Sequence, residues 1–121
     1  MSNGSNIEAM LAEAREIYSV FGRNQRALTI VDRVLEAEPE HIEALNLRAA
    51  ILYEMDRDVE AEASHRQALA VQPCSVEALH GLASIANDRN QYHEAVSWAD
   101  RGFTCIPDDP SQEFQENEDY R

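Results

Sequence analysis

The side chains best suited to metal binding, acid–base work or nucleophilic attack are four histidines, His41, His65, His80 and His93, and two cysteines, Cys74 and Cys105. Their spacing serves none of these chemistries. Metal sites and metallo-hydrolases need ligands one helical turn or a tight knuckle apart. The chain has no CxxC and no HExxH, and its histidines share no ligand spacing on one helix. His93 and Glu94 are adjacent, so on a helix they point to different sides. Gly4, Gly22, Gly81 and Gly102 are scattered, which excludes a glycine-rich phosphate loop. Cys74 directly follows Pro73 and reads as an exposed, inert thiol. Two distant cysteines make no disulfide framework, so a reducing compartment is the expectation. The inventory points to a protein that is not an enzyme, with no catalytic residues, no metal and no cofactor.

What the polar residues offer instead is recognition. The chain has 23 acidic and ten basic residues, all ten of them arginine, for a net charge of -13. That balance argues against a nucleic-acid or anionic-membrane surface, which needs clustered cations. It suits a basic partner, or serves solubility alone. No stretch approaches the roughly 18 apolar residues of a membrane span. The polar start, Met1 to Asn6, lacks the basic and then apolar run of a secretory signal. A cytoplasmic location follows as an expectation.

The elements that position these residues are set by an internal repeat. Pro39, Pro73 and Pro107 are spaced 34 residues apart. Leu11, Leu45 and Leu79 share that spacing, as do Ala27, Ala61 and Ala95; Leu35, Leu69 and Phe103; and Val34, Ala68 and Gly102. Within each period the apolar residues recur three and four apart, as in Glu43 to Tyr53, and a short polar turn such as Met55-Asp56-Arg57-Asp58 separates two such runs. The prolines fall just past the second run, where they end a helix. The pattern predicts six helices, at 8–21, 24–37, 41–54, 58–71, 75–88 and 92–105. Ser5-Asn6-Ile7-Glu8 fits a capping box ahead of the first. Residues 1–7 are then an N-terminal lead, 8–41, 42–75 and 76–109 are three repeats, and 110–121 is an acidic capping helix or a disordered tail. Asp109, Pro110 and Gln112 supply a helix-start signal for that segment.

A 34-residue helix-turn-helix with small residues early and late in its second helix and a terminal proline resembles the tetratricopeptide repeat family. Ala27, Ala61 and Ala95 match the first small position, and Val34, Ala68 and Gly102 the second. The resemblance covers about residues 8 to 109. It implies an all-α solenoid of three stacked repeats, because one helix pair cannot bury its apolar face alone. The chain departs from the family pattern at Arg15, Arg48 and His65, which stand where small, aliphatic and apolar or aromatic residues are usual; each is expected to snorkel or pair locally.

In this family the first helix of each pair lines a concave, preordered surface that holds a peptide or partner protein. Placed in that frame, the candidate partner-binding residues are Glu43, Asn46, Tyr53, Glu54, Glu77, His80 and Asn87. Ala12, Glu16, Ser19, Ala50, Ser84 and Asp88 share the same face. Tyr53 supplies an apolar body with a hydroxyl, and Asn46 and Asn87 supply amides for a peptide backbone. Some family members grip acidic C-terminal tails with a Lys, Asn and Arg clamp. Here those positions fall on Ala12, Glu16, Asn46 or Leu47, Glu77 and Gly81, so the resemblance implies a neutral or basic ligand instead. The alternatives are a tetratricopeptide-type secretion chaperone, and a structural fragment of a longer array with no ligand of its own. A homodimer or a longer array would cover Val96, Ala99 and Phe103, which have no fourth repeat to pack on.

Overall fold

The computed structural model describes residues 3–21 and 23–105. Those residues form six α-helices: α1 (Asn3–Phe21), α2 (Asn24–Ala37), α3 (Ile42–Glu54), α4 (Asp58–Val71), α5 (Val76–Asp88) and α6 (Tyr92–Cys105). The fold is all-α, three helix pairs packed in sequence order, with α1 against α2, α3 against α4 and α5 against α6. The second helices begin at residues 24, 58 and 92 and end at 37, 71 and 105. Both sets step by 34, so the sequence period is the structural period. The segment 110–121 and its helix-start signal lie outside the described residues. At the other end α1 starts at Asn3, inside the expected lead and ahead of Ser5, so no helix begins at a Ser5 cap.

The turns repeat in the same register. His41 caps α3, its Nδ1 accepting from the Ala44 N–H at 3.2 Å. Ser75, 34 residues on, caps α5 with its hydroxyl accepting from the Ala78 N–H at 3.4 Å. Each cap satisfies one of the free N–H groups of a helix start. Helices α3 and α5 both end on a left-handed residue, Asp56 (φ 59°) and Asn90 (φ 61°). The Arg57 N–H donates to the Leu52 carbonyl and the Gln91 N–H to the Ala86 carbonyl, at 2.9 and 2.8 Å. This six-to-one bond lets the chain reverse within three residues and start the next helix.

The core follows from the small positions. Ala27, Ala61, Val34, Ala68 and Gly102 are buried and bring helix backbones close, while Leu11, Leu45, Leu79, Ile51, Leu52 and Leu82 fill the space between pairs. The third period loses this cover. Helix α6 buries only Gly102, and Val96 and Phe103 are 58% and 73% exposed. Leu35 and Leu69, equivalent to Phe103, are half-buried and buried.

Two of the three residues that depart from the apolar pattern are answered by partners on other helices. Arg48 of α3 donates from Nε to Asp32 Oδ1 of α2 at 2.8 Å and from Nη1 to Ser64 Oγ of α4 at 2.7 Å. Arg15 of α1 pairs with Glu43 of α3. The remaining departure, His65, sits in the site described next.

Candidate functional site

A pocket of about 270 Å3 opens between α3 and α5, lined by Asn46, Ala50 and Tyr53 from α3, His65 from α4, and Glu77, His80, Gly81, Ser84 and Ile85 from α5. Its base is a chain of buried polar groups. Asn46, 2% exposed, donates from Nδ2 to Ser75 Oγ at 3.2 Å. Its Oδ1 lies 2.9 Å from Nδ1 of His65, which is 5% exposed. With the amide so turned, Oδ1 is the acceptor and His65 Nδ1 carries the proton. Burial, helped by the nearby His80, pushes the His65 pKa down to about 4, so the imidazole is neutral at physiological pH.

The imidazole fits there because residue 81 is glycine. A Cβ at position 81 would overlap the ring. At the far end of the pocket the Tyr53 hydroxyl donates to Asp88 Oδ2 and ties α3 to α5. That hydrogen bond, with some burial, pushes the Tyr53 pKa up to about 12 and keeps the phenol a neutral donor.

Of the seven candidate partner-binding residues, the structure brings Asn46, Tyr53, Glu77 and His80 together around this pocket. Glu43 lies elsewhere on α3, its carboxylate paired with Arg15. Glu54 and Asn87 are exposed and outside the pocket lining. Glu16, expected on the same face, lines a separate hollow with Glu13, Ile17, Arg23 and Arg26. Two expectations need correcting. Asn46 is not a solvent-facing amide free for a peptide backbone, because both of its amide atoms are used within the fold. Cys74 is not an inert thiol: it is disulfide-bonded to Cys105, which joins the α4–α5 loop to the end of α6.

Sequence reasoning put Gly81 on the groove face but did not place His65 or Ser75 in the site. The available signals were a polar residue, His65, at a position where an apolar side chain is usual, and a capping serine, Ser75, at the start of α5. Among the described residues no group of three histidine, cysteine or carboxylate side chains is placed to hold a metal ion, and no helix is long and apolar enough to cross a membrane. Compared with models of known protein families the chain matches none, and no curated protein matches it.

Proposed function

We propose that this chain is a non-catalytic interaction module of the tetratricopeptide type that holds an extended peptide or partner protein along the face shared by α3 and α5. The observation that carries the reading is the pocket itself: it lies between two successive first helices, where the 34-residue register would place a ligand groove. Its shape is set in advance by the Asn46–His65 and Tyr53–Asp88 contacts, so a ligand need not order it on binding. Glu77 in the lining and Asp88 at its end give it a negative potential in a chain of net charge -13. A carboxylate ligand would meet like charge, unfavourable by about 1 kcal/mol at 4 Å even in bulk water. The preferred partner is therefore a neutral or basic segment.

The cytoplasmic expectation rested partly on two unpaired thiols. With Cys74 bonded to Cys105, cysteine usage no longer implies a reducing compartment.

The test is a titration of the full chain with sequence-matched acidic and basic extended peptides at low and high salt, repeated with Glu77→Ala. The basic peptide should bind, more weakly in high salt and to the variant. Tighter binding of the acidic peptide to the wild type would overturn the reading. Binding of neither peptide would favour a structural segment, for which the exposed Val96 and Phe103 of α6 are the supporting observation.

A further inference from the structure

The α3–α5 pocket contains a buried residue, His65, whose bonding capacity the fold leaves partly unused. His65 donates from Nδ1 to Asn46 Oδ1, which makes Nε2 of the neutral ring a bare acceptor. Among the described residues, no protein donor reaches Nε2. No buried side-chain nitrogen or oxygen among the described residues lacks a partner, so Nε2 is not sealed off. It meets solvent through the pocket that His65 lines, although the residue as a whole is 95% covered. The one formally charged group in the same lining is the carboxylate of Glu77. The remaining walls are Ala50, the Tyr53 ring, Gly81, Ser84 and Ile85, with His80 at the rim.

We propose that this pocket is a subsite for a single long basic side chain, arginine or lysine, of an extended peptide, with its stem along Ala50, Tyr53 and Ile85 and its head shared between the Glu77 carboxylate and His65 Nε2. The assignment rests on the groove reading above and specifies what the groove selects. The volume, about 270 Å3, is below the roughly 300–1,000 Å3 of small-molecule sites and suits one side chain. The Glu77 carboxylate and His65 Nε2 can only accept, and the Ser84 hydroxyl can accept as well, so the complementary ligand end is a donor with no acceptor of its own. Lysine, arginine and tryptophan are the side chains with that inventory, and of these only lysine and arginine carry the positive charge that complements Glu77. Each also carries an apolar stem of the kind that lies along such walls. A carboxylate would face Glu77, and an aliphatic side chain would leave both acceptors unpaired.

The experiment is a selection of peptides from a random ten-residue display library on the full chain with its disulfide intact. An enriched peptide is then synthesised for affinity measurement. The expected result is one aligned position occupied by arginine or lysine. Replacing that residue by a neutral isostere, citrulline for arginine or norleucine for lysine, should weaken binding at least tenfold on the wild type. On Glu77→Gln, an exposed position, the same replacement should cost less than threefold. Ala50→Leu, which fills the pocket from its half-buried wall, should weaken the parent peptide at least tenfold with the circular dichroism spectrum unchanged. Nitrogen-15 NMR of the free chain should show the Nδ1–H tautomer of His65, with the Nε2 resonance shifting on binding.

Enriched peptides with no basic position, or a basic residue indifferent to both Glu77→Gln and Ala50→Leu, would overturn the subsite and leave the groove reading standing. The Nε2–H tautomer in the free chain would likewise overturn it. Failure to enrich any peptide would overturn the groove reading and the subsite with it.

Discussion

Breaking the Cys74–Cys105 bond should detach α6 before the rest of the stack. Besides the bond, the helix is held mainly by its packing along α5, with few of its side chains buried. It buries only Gly102, and Trp98 is its main packed side chain, half-buried against the Leu79 and Leu82 cluster with Arg66 and Arg101 over its ring. The bond links residues 31 apart. Closing a loop of that length removes on the order of 12 cal/mol/K from the unfolded chain, about 3–4 kcal/mol at 25 °C. In a repeat stack each pair is stabilised only by its neighbours, so the loss is felt locally at the end rather than spread through the chain. Guanidinium unfolding can resolve this, because Trp98 is the chain's one tryptophan and lies on α6. In the oxidised protein, Trp98 fluorescence and circular dichroism should report one transition. After reduction, or in Cys74→Ser, the fluorescence transition should move to lower denaturant and precede the dichroism. Amide exchange over residues 92–105 should then exceed that over 42–71. Coincident transitions and unchanged exchange in the reduced protein would show that α6 is held by packing alone and refute the argument.

Four further outcomes follow from single contacts. His65 has a folded-state pKa near 4 against 6.5 for an ordinary histidine, so the unfolded chain binds more protons between those values. Stability from this group is full above pH 6.5 and falls, by up to about 3 kcal/mol, as the pH drops towards 4. The groups facing His65 are Tyr53 of α3 and Glu77 and His80 of α5; chemical denaturation across that window should show the slope in the wild type, and a His65→Gln variant with the same slope would refute the assignment. Gly81→Ala should destabilise by about 1–3 kcal/mol because its methyl group displaces the His65 ring. Gly102→Ala should instead stabilise by about 0.5–1 kcal/mol, since its methyl would rest 3.9 Å from Leu79 Cβ. Thermal melts that rank the two glycine variants the other way would count against the packing described. Arg48→Ala should cost about 1–3 kcal/mol by leaving fully buried Ser64, and Asp32, without their shared donor; a melting temperature within 1 °C of wild type (roughly the effect of a few tenths of a kcal/mol) would exclude that role.

The helices were legible because the same residue types recur at one spacing. Leu11, Leu45 and Leu79 are all buried, and the second helices run from residues 24, 58 and 92 as the pattern predicts. The candidate site was legible only in part. Facing directions inferred from a helix frame assume that a polar residue seeks water. Asn46 does not, because α3 is the middle first helix and is enclosed on most sides, with Ala44, Leu45, Leu47 and Ala49 also buried. Its polar atoms are satisfied from α4 and from the α5 cap, by residues 19 and 29 positions away. The Cys74–Cys105 bond was hidden for a related reason. Pairing a loop with the end of the following second helix depends on how one pair stacks on the next, which spacing along the chain does not encode. The Arg48 and Arg15 partners are likewise long-range, and only the expectation that such residues pair was available in advance.

The central claim is that ligands lie on the α3–α5 face, and amide chemical-shift mapping tests it most directly. Titrating a basic extended peptide into nitrogen-15-labelled full chain should perturb Ala50, Tyr53, His80, Gly81 and Ser84 together, in a saturable way and less strongly in high salt. Perturbations confined to exposed positions of the second helices, such as Thr29, Ala63 and Ser97, or to the open end at Val96 and Phe103, would contradict it.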